Sequence, residues 1–208
     1  MRFFKNLLTT AAFAAALFTG NQANAQSFDV GTNAINLGLG FGGYRFGYNS
    51  YYNYTQSPTF TLAFDRGVKQ IGPGVLGIGG LVAFNTSRSQ WTSYGWNTTY
   101  NYEIRRTNVM LGARGTYHWN EWHGNDKLDL YAGVLAGFSI GAKVDKSTKT
   151  VNGVTTSHEA GAVYTDRLSL PFASAFAGVR YLFTSSFGVY AEAGYGISLL
   201  NGGVTFKF

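Results

Sequence analysis

Apolar and polar residues alternate with a period of two along most of the chain after residue 30, and this pattern predicts β-strands. The pattern is clearest between Phe187 and Tyr195, where every second residue is apolar and Glu192 faces the other way. It resumes after a Gly-Tyr-Gly reversal and ends on the final residue, Phe208. A helix would spread these apolar residues around its circumference. No polar residue interrupts the apolar face of these strands, so we infer that this face lies against lipid.

Eight segments follow this pattern, and each is close to the 9–11 residues that a tilted strand needs to cross a bilayer. Long and short connections alternate between them, as in outer-membrane barrels. Strands can cross a bilayer only as a closed barrel, because lipid satisfies no backbone polar groups. The sequence therefore predicts an all-β fold, an eight-stranded antiparallel up-and-down transmembrane β-barrel. The predicted strands are 33–44, 59–68, 75–86, 106–119, 127–141 and 170–183, with two more in 187–208, and the long loops are 45–58, 87–105 and 142–169.

The first 25 residues have the features of a secretory signal peptide. Arg2 and Lys5 give a positive start, an apolar run covers 7–18, and the stretch ends in Ala23-Asn24-Ala25. The apolar run is too short for a spanning helix, which needs about 20 residues. We therefore expect a cleaved signal peptide over 1–25 and an outer-membrane β-barrel over 26–208.

The composition agrees with an exported membrane barrel. Charged residues make up only 12% of the chain, against roughly 25% in soluble domains, while aromatic residues reach 17% and cysteine is absent. The net charge of +6 comes from scattered residues. Scattered charge argues against a nucleic-acid partner and fits a mild attraction to anionic lipid head groups. We expect no cofactor.

The last six residues resemble the terminal signal of a known family. Gly203, Val204, Phe206 and Phe208 belong to an alternating segment that closes on phenylalanine. In this, and in its strand pattern, the chain resembles small outer-membrane β-barrels of the OmpX/OmpW kind. The resemblance implies a bacterial outer-membrane location with periplasmic termini, and outer-membrane lipids and the barrel-assembly machinery as partners. Members of the family differ in role, so it implies no particular function.

Charged side chains on the inward face of the predicted strands are the first candidate site. Eight strands enclose only enough space for side chains to fill. We therefore predict a packed polar plug, in which Arg114 and Glu192 lie at similar heights and form a pair. The alternative is a narrow gated path through the same groups. The six inward charges are Asp65, Arg114, Asp129, Arg180, Glu192 and Lys207.

Aromatic residues in the long loops are the second candidate. Part of them belongs to the girdle at the membrane boundary, while those at loop tips could contact a surface protein or a glycan. In the third loop, Asn152-Gly153 predicts a hairpin with Val151 opposite Val154. This ladder would run back through Ser147 opposite His158 and Lys143 opposite Ala162, as a polar ribbon. The candidate contact residues are Tyr51, Tyr52, Trp91, Tyr94 and Trp96.

Catalytic chemistry has little support in the sequence. Ser157, His158 and Glu159 are the only local group resembling a hydrolytic triad, and neighbours on a strand point to opposite faces. The three histidines of the chain are too widely separated for a metal site. We therefore predict a non-enzymatic barrel with a structural or surface-interaction role through its extracellular loops. The alternatives are a narrow pore for small or lipophilic solutes and a lipid-modifying outer-membrane hydrolase.

Overall fold

A computed structural model of the protein describes residues 28–42, 53–119, 124–157 and 170–208. These residues contain no helix that is long and apolar enough to cross a membrane. They form eleven β-strands: β1 (Asn33–Phe41), β2 (Asn53–Gln56), β3 (Thr59–Ile71), β4 (Gly74–Gly95), β5 (Thr98–Trp119), β6 (Leu128–Asp145), β7 (Thr148–Val151), β8 (Val154–Ser157), β9 (Leu170–Leu182), β10 (Phe187–Tyr195) and β11 (Leu200–Lys207).

Eight of these strands close into an antiparallel barrel in the order β1-β3-β4-β5-β6-β9-β10-β11. The barrel closes because β1 pairs with β3 on one side and with β11 on the other, from Ala34 opposite Lys207 to Phe41 opposite Leu200. Backbone hydrogen bonds between Asn33 and Phe208 complete the closing seam. The predicted fold class is confirmed. We call the end where β1 begins and β11 finishes the turn end, and the opposite end the loop end.

The outside of the barrel is an apolar surface. Side chains alternate along each strand, so one set faces outward and is exposed while its neighbours are buried. A continuous exposed apolar belt of this kind is the surface that lipid solvates. The fold is therefore that of an outer-membrane-type barrel. The belt includes Leu37, Leu39, Phe60, Leu62, Phe64, Val82, Leu111, Val134, Phe138, Val179 and Val189.

A sheet of strands projects beyond the loop end of the barrel. β4 and β5 pair along their full length of 22 residues each. The pairing of β3 with β4 stops at Phe60 opposite Phe84, so the residues of β4 after Asn85 extend past the barrel wall by roughly 34 Å. β2 pairs with the free edge of β4. β6 and then β7 follow β5 in one continuous register, and β8 pairs with β7.

The projecting sheet corrects the prediction of a long loop over 87–105. That segment continues the two strands to a tight turn at residues 96 and 97, where Asn97 has a φ of 55°. The segment lies beyond the hydrocarbon, so neither of its faces has to be continuously apolar, and the period-two signal fades. The other loops are shorter than predicted as well, since β2 lies within 45–58, and β6, β7 and β8 occupy much of 142–157.

The Asn152-Gly153 hairpin is present as predicted. Val151 pairs with Val154, and both turn residues have positive φ angles, 48° at Asn152 and 81° at Gly153. The continuation to His158 and Ala162 lies outside the described residues. Lys143, which the predicted ladder placed opposite Ala162, pairs with Arg106 on β5.

Candidate functional site: a filled lumen and a projecting sheet

Arg114, on β5, joins two acidic side chains from distant parts of the chain inside the barrel. Its Nε lies 2.8 Å from Asp65 Oδ1 on β3, and its Nη2 donates to Glu192 Oε1 on β10 at 2.9 Å. All three side chains are buried. The contact to Asp65 is an ion pair without hydrogen-bond geometry. The structure thus places Arg114 and Glu192 together at the height that strand position predicts.

Arg180, on β9, forms a second centre closer to the turn end. Its Nη1 donates to Asp129 Oδ2 at 2.5 Å, and its Nη2 lies 3.8 Å from Asp65 Oδ2. Asp65 therefore lies between the two guanidinium groups. Asn36, on β1, accepts a hydrogen bond from Arg180 Nη2 at 3.4 Å and another from Thr205 at 2.7 Å. The buried charges form one connected network across five strands.

Lys207 differs from the other predicted lumen charges in its exposure. It faces inward near the turn end, as alternation predicts, but its side chain is only half-buried. The other five predicted lumen charges are buried. A buried charge is tolerated only when an opposite charge offsets the free-energy cost of removing it from water. Arg114 and Arg180 each have such partners inside the lumen.

Several neutral side chains that the sequence analysis did not single out complete the network. Tyr131 donates to Glu192 Oε1 at 2.9 Å, and Asn201 donates to its other oxygen at 3.4 Å. Thr61 donates to Asn201 at 3.1 Å and lies 3.4 Å from the Tyr190 hydroxyl. The alternation along each strand predicts that these side chains point into the lumen. It does not predict which of them contact one another.

The turn end of the lumen is closed by a residue outside the strands. Phe28 is almost fully buried and stacks on His118, with ring centroids 3.7 Å apart. The Arg180 guanidinium lies 5.7 Å from the Phe28 ring. Hydrogen bonds between Gly31, Thr32 and Gly67 of β3 hold this segment in place. The sequence analysis missed Phe28, because alternation carries information only within strands.

An apolar layer crosses the lumen on the loop side of the charges, which the prediction of a polar plug did not include. The turn between β10 and β11 folds inward and buries Ile197 in this layer. Nearer the loop end the lumen is polar again, where Asn85 donates to Thr59 at 3.2 Å and accepts from Asn108 at 3.0 Å. The cavity between the charges and the apolar layer measures about 30 Å³, room for roughly two waters. The side chains of the apolar layer are Ala63, Leu81, Ala83, Met110, Leu135 and Ile197, with Phe172 and Phe176 against them.

The inner face of the projecting sheet carries a row of aromatic rings. Trp91 stacks on Tyr102, directly opposite it, with centroids 4.8 Å apart. Tyr100 follows at 6.2 Å from Tyr102, and the Lys149 ammonium lies 5.6 Å from the Tyr100 ring. Trp91 is therefore half-buried in this row.

The far tip of the sheet leaves two predicted contact residues fully accessible. Tyr94 is 81% exposed and Trp96 is 95% exposed. Both side chains are therefore available for contact with a partner. Tyr51 and Tyr52, the other predicted contacts, lie outside the described residues.

The outer face of the same sheet carries a group of charges near the barrel wall. Arg88 on β4 lies directly opposite Arg105 on β5, and Glu103 bridges them at 2.5 Å from Arg88 Nη2 and 2.8 Å from Arg105 Nε. Gln90 donates a further bond to Glu103 at 3.3 Å. The hydrogen bond from Arg88, followed by that from Arg105, holds the pKa of Glu103 below its ordinary value of 4.5.

The terminal residues that resemble an insertion signal lie in the closing strand. Val204 pairs with Leu37 on one side and Val189 on the other. Gly203 faces inward, and Phe208 is 59% exposed on the apolar belt. This strand pairs with β1, the first strand, and with β10, the strand before it, so its pairing completes the closed fold.

The residues that resemble a hydrolytic triad are described only in part. Ser157 ends the exposed strand β8, while His158 and Glu159 lie outside the described residues. His118 faces the lumen and is fully buried, with Nδ1 2.8 Å from Asp129 and Nε2 3.0 Å from Thr116. Among the described residues, no three His, Asp or Glu side chains are grouped so that they could hold a metal ion.

No protein-family model matches the chain, and no curated protein matches it. Solved membrane barrels do match. Ail, the attachment invasion locus protein of Yersinia pestis, is similar over 86% of this chain and 99% of that chain, with 14% identity and a TM-score of 0.34. Its complex with the heparin analogue sucrose octasulfate matches over the same shares, at 12% identity and a TM-score of 0.34. An outer membrane channel from Pseudomonas putida F1 matches over 91% of this chain and 100% of that chain, at 9% identity and a TM-score of 0.27. This degree of likeness gives no information on activity.

Proposed function

We propose that this protein is a non-enzymatic outer-membrane anchor with a sealed lumen, which presents its projecting sheet to a surface protein or a glycan. The observation that carries the proposal is the contrast between the two parts of the molecule. Among the described residues, the cavity between Arg114 and Ile197 in the lumen measures only about 30 Å³, whereas Trp96 at the tip of the sheet is 95% exposed. In this arrangement the termini lie in the periplasm and the sheet extends outside the cell.

The sealed lumen argues against the pore alternative. A conducting path would have to displace the pairs of Arg114 and Arg180 as well as Ile197 and Phe28 at the two ends. Purified protein in planar bilayers is therefore expected to give no defined single-channel steps. Reproducible steps from the folded protein would support the pore and contradict a purely anchoring barrel.

Substitutions at the tip of the projecting sheet test whether it binds a surface protein or a glycan. Purified, folded protein is screened against panels of glycans and extracellular proteins, and each ligand found is measured again with Y94A/W96A. We expect the double variant to weaken binding at least tenfold, because exposed aromatic side chains dominate contact surfaces. Tyr181→Ala removes an aromatic residue of the outer belt that is 40% exposed, and it serves as the matched control. Equal binding by Y94A/W96A and the wild type would contradict the proposal.

The hydrolase alternative has its own measurement. Mass spectra of lipid A from cells with and without the protein should be identical if the barrel has no lipid-modifying activity. A species that appears only with the protein, and disappears with Ser157→Ala, would replace the anchoring function by an enzymatic one.

A further inference from the structure

The outer face of the projecting sheet continues the lipid-facing surface of the barrel. Going up β5, the outward residues are Leu111, Val109, Thr107 and Arg105, because β4 and β5 keep one register throughout. On β4 the corresponding outward residues run from Phe84 to Arg88. The apolar stripe therefore passes into a pair of arginines on the membrane-facing side.

The height of the two arginines matches the head-group region of a bilayer. Val109 is the last apolar residue of the outward stripe on β5, before Thr107, and we take it to mark the edge of the hydrocarbon. Arg105 lies four residues beyond Val109, about 13 Å along the strand and roughly 10 Å along the membrane normal for a tilt near 40°. The polar head-group zone begins at the edge of the hydrocarbon and is roughly 5–8 Å thick on each side. An arginine side chain can span the difference. Val144, opposite Arg105 on β6, keeps the surface apolar up to this level.

The charges at this position are not fully balanced within the part of the chain that the structure describes. Arg88 and Arg105 are direct cross-strand partners, and like charges in this arrangement repel. Glu103 is the acceptor that the described residues offer to both guanidinium groups, so the group keeps a net charge of +1. The two side chains remain 42% and 44% exposed. Each guanidinium has five N–H donors, and a phosphate accepts them in the bidentate geometry that arginine favours.

We propose that Arg88 and Arg105 form a binding site for the phosphate group of a membrane lipid at the loop end of the barrel. The acyl chains of that lipid lie along the apolar stripe below, and its phosphate bridges the two guanidinium groups. Glu103 and Gln90 hold the arginines in position, and Glu103 competes with the phosphate for the same donors.

The test uses the full-length protein in detergent micelles and native mass spectrometry. The probe is phosphatidic acid, and the reference is diacylglycerol with the same acyl chains, which lacks only the phosphate. We expect phosphatidic acid to be retained at least tenfold more strongly by the wild type. R88Q/R105Q should reduce that retention at least tenfold, because one charge-assisted hydrogen bond already contributes a factor of about ten. Circular dichroism checks that both proteins are folded.

Two further variants separate a defined site from general electrostatic attraction. Arg106→Gln removes the same charge one residue away, but on the inner face of the sheet, and should leave retention unchanged. Glu103→Gln removes the competing carboxylate and should increase retention several-fold, which a merely structural role of Glu103 would not produce. The proposal is overturned if R88Q/R105Q and Arg106→Gln reduce retention equally, or if Glu103→Gln reduces it. It is also overturned if inorganic phosphate at the lipid concentration displaces the lipid, since the site would then be one for free anions.

Discussion

The Phe28 ring lies parallel to the His118 imidazole, with the two planes 11° apart and the centroids at 3.7 Å. The contact joins the segment before β1 to the last inward residue of β5. Both ring nitrogens of His118 are hydrogen-bonded, to Asp129 and to Thr116, so the ring on which Phe28 packs is held in one orientation. A residue that belongs to no strand thereby closes the turn end of the barrel.

Phe28→Ala should lower the free energy of unfolding by about 3 kcal/mol, since a buried aromatic side chain would leave a cavity against His118 and Arg180. Urea unfolding in detergent micelles, followed by tryptophan fluorescence, measures this change. Val30→Ala is the matched control, because Val30 belongs to the same segment but is 50% exposed. Similar losses from both variants would show that the segment contributes only chain length and not a packed plug.

Glu192→Leu should destabilise the barrel by about 3 kcal/mol or more, because it removes one of the two acids that compensate Arg114 inside the lumen. It also removes the acceptor of the Tyr131 hydroxyl. Tyr131→Phe should therefore cost about 1 kcal/mol in the wild type, and almost nothing when Glu192→Leu is already present. Thermal unfolding in detergent is measured for the wild type, the two single variants and the double variant. An unchanged unfolding temperature for Glu192→Leu would contradict the buried network.

The barrel itself was predictable from the sequence, because each crossing strand has one face in lipid and the other in a narrow lumen. That constraint forces a period of two, and it located Arg114 and Glu192 on inward positions at matching heights. Outside the membrane this constraint no longer applies, and the period-two pattern is lost. Residues 87–105 lie beyond the hydrocarbon, so neither of their faces has to be apolar, and their alternation of serine, threonine and tyrosine resembles a loop even though they form strands.

Contacts between side chains inside the lumen were less predictable than the strands. The alternation of residues along the strands predicted that Asp129 and Arg180 point inward. Their pairing depends on the register of β6 against β9, and loop lengths alone do not determine that register. The apolar layer of the lumen was not predicted, because small residues such as Ala83 occur on both faces of these strands. Phe28 was missed because one residue outside a strand has no periodic neighbours.

Gly38→Ala should destabilise the protein by about 1–3 kcal/mol through overpacking. A Cβ at this inward position would lie within 2.9 Å of Asn201 Oδ1 and even closer to the Tyr190 hydroxyl. The tyrosine would have to leave its contact with Thr61. Gly115→Ala is the control, since a Cβ there meets no atom within 4 Å. Unfolding midpoints that move equally for both glycines would show that the lumen is looser than this packing implies.

The ion pairs on the outer face of the projecting sheet should give it a local dependence on pH. Hydrogen bonds from Arg88 and Arg105 lower the pKa of Glu103 in the folded protein below its ordinary value of 4.5. A lowered pKa means that the carboxylate stabilises the sheet at all pH values above the unfolded pKa. That contribution is lost as the pH falls below 4.5 and passes through the lowered folded value.

Glu103→Gln should therefore reduce the protection of backbone amides in 87–106 at pH 7 by about 0.5 kcal/mol, the usual scale for a partly exposed ion pair. The difference between variant and wild type should shrink below pH 4.5 and then vanish, because the wild-type carboxyl group is by then protonated as well. Amide hydrogen exchange, compared between the two proteins at each pH, measures this. Asp126→Asn, at the turn end, should leave exchange in the sheet unchanged at every pH. A difference between Glu103→Gln and the wild type that persists at pH 2 would mean that the glutamate acts through packing and not through its charge.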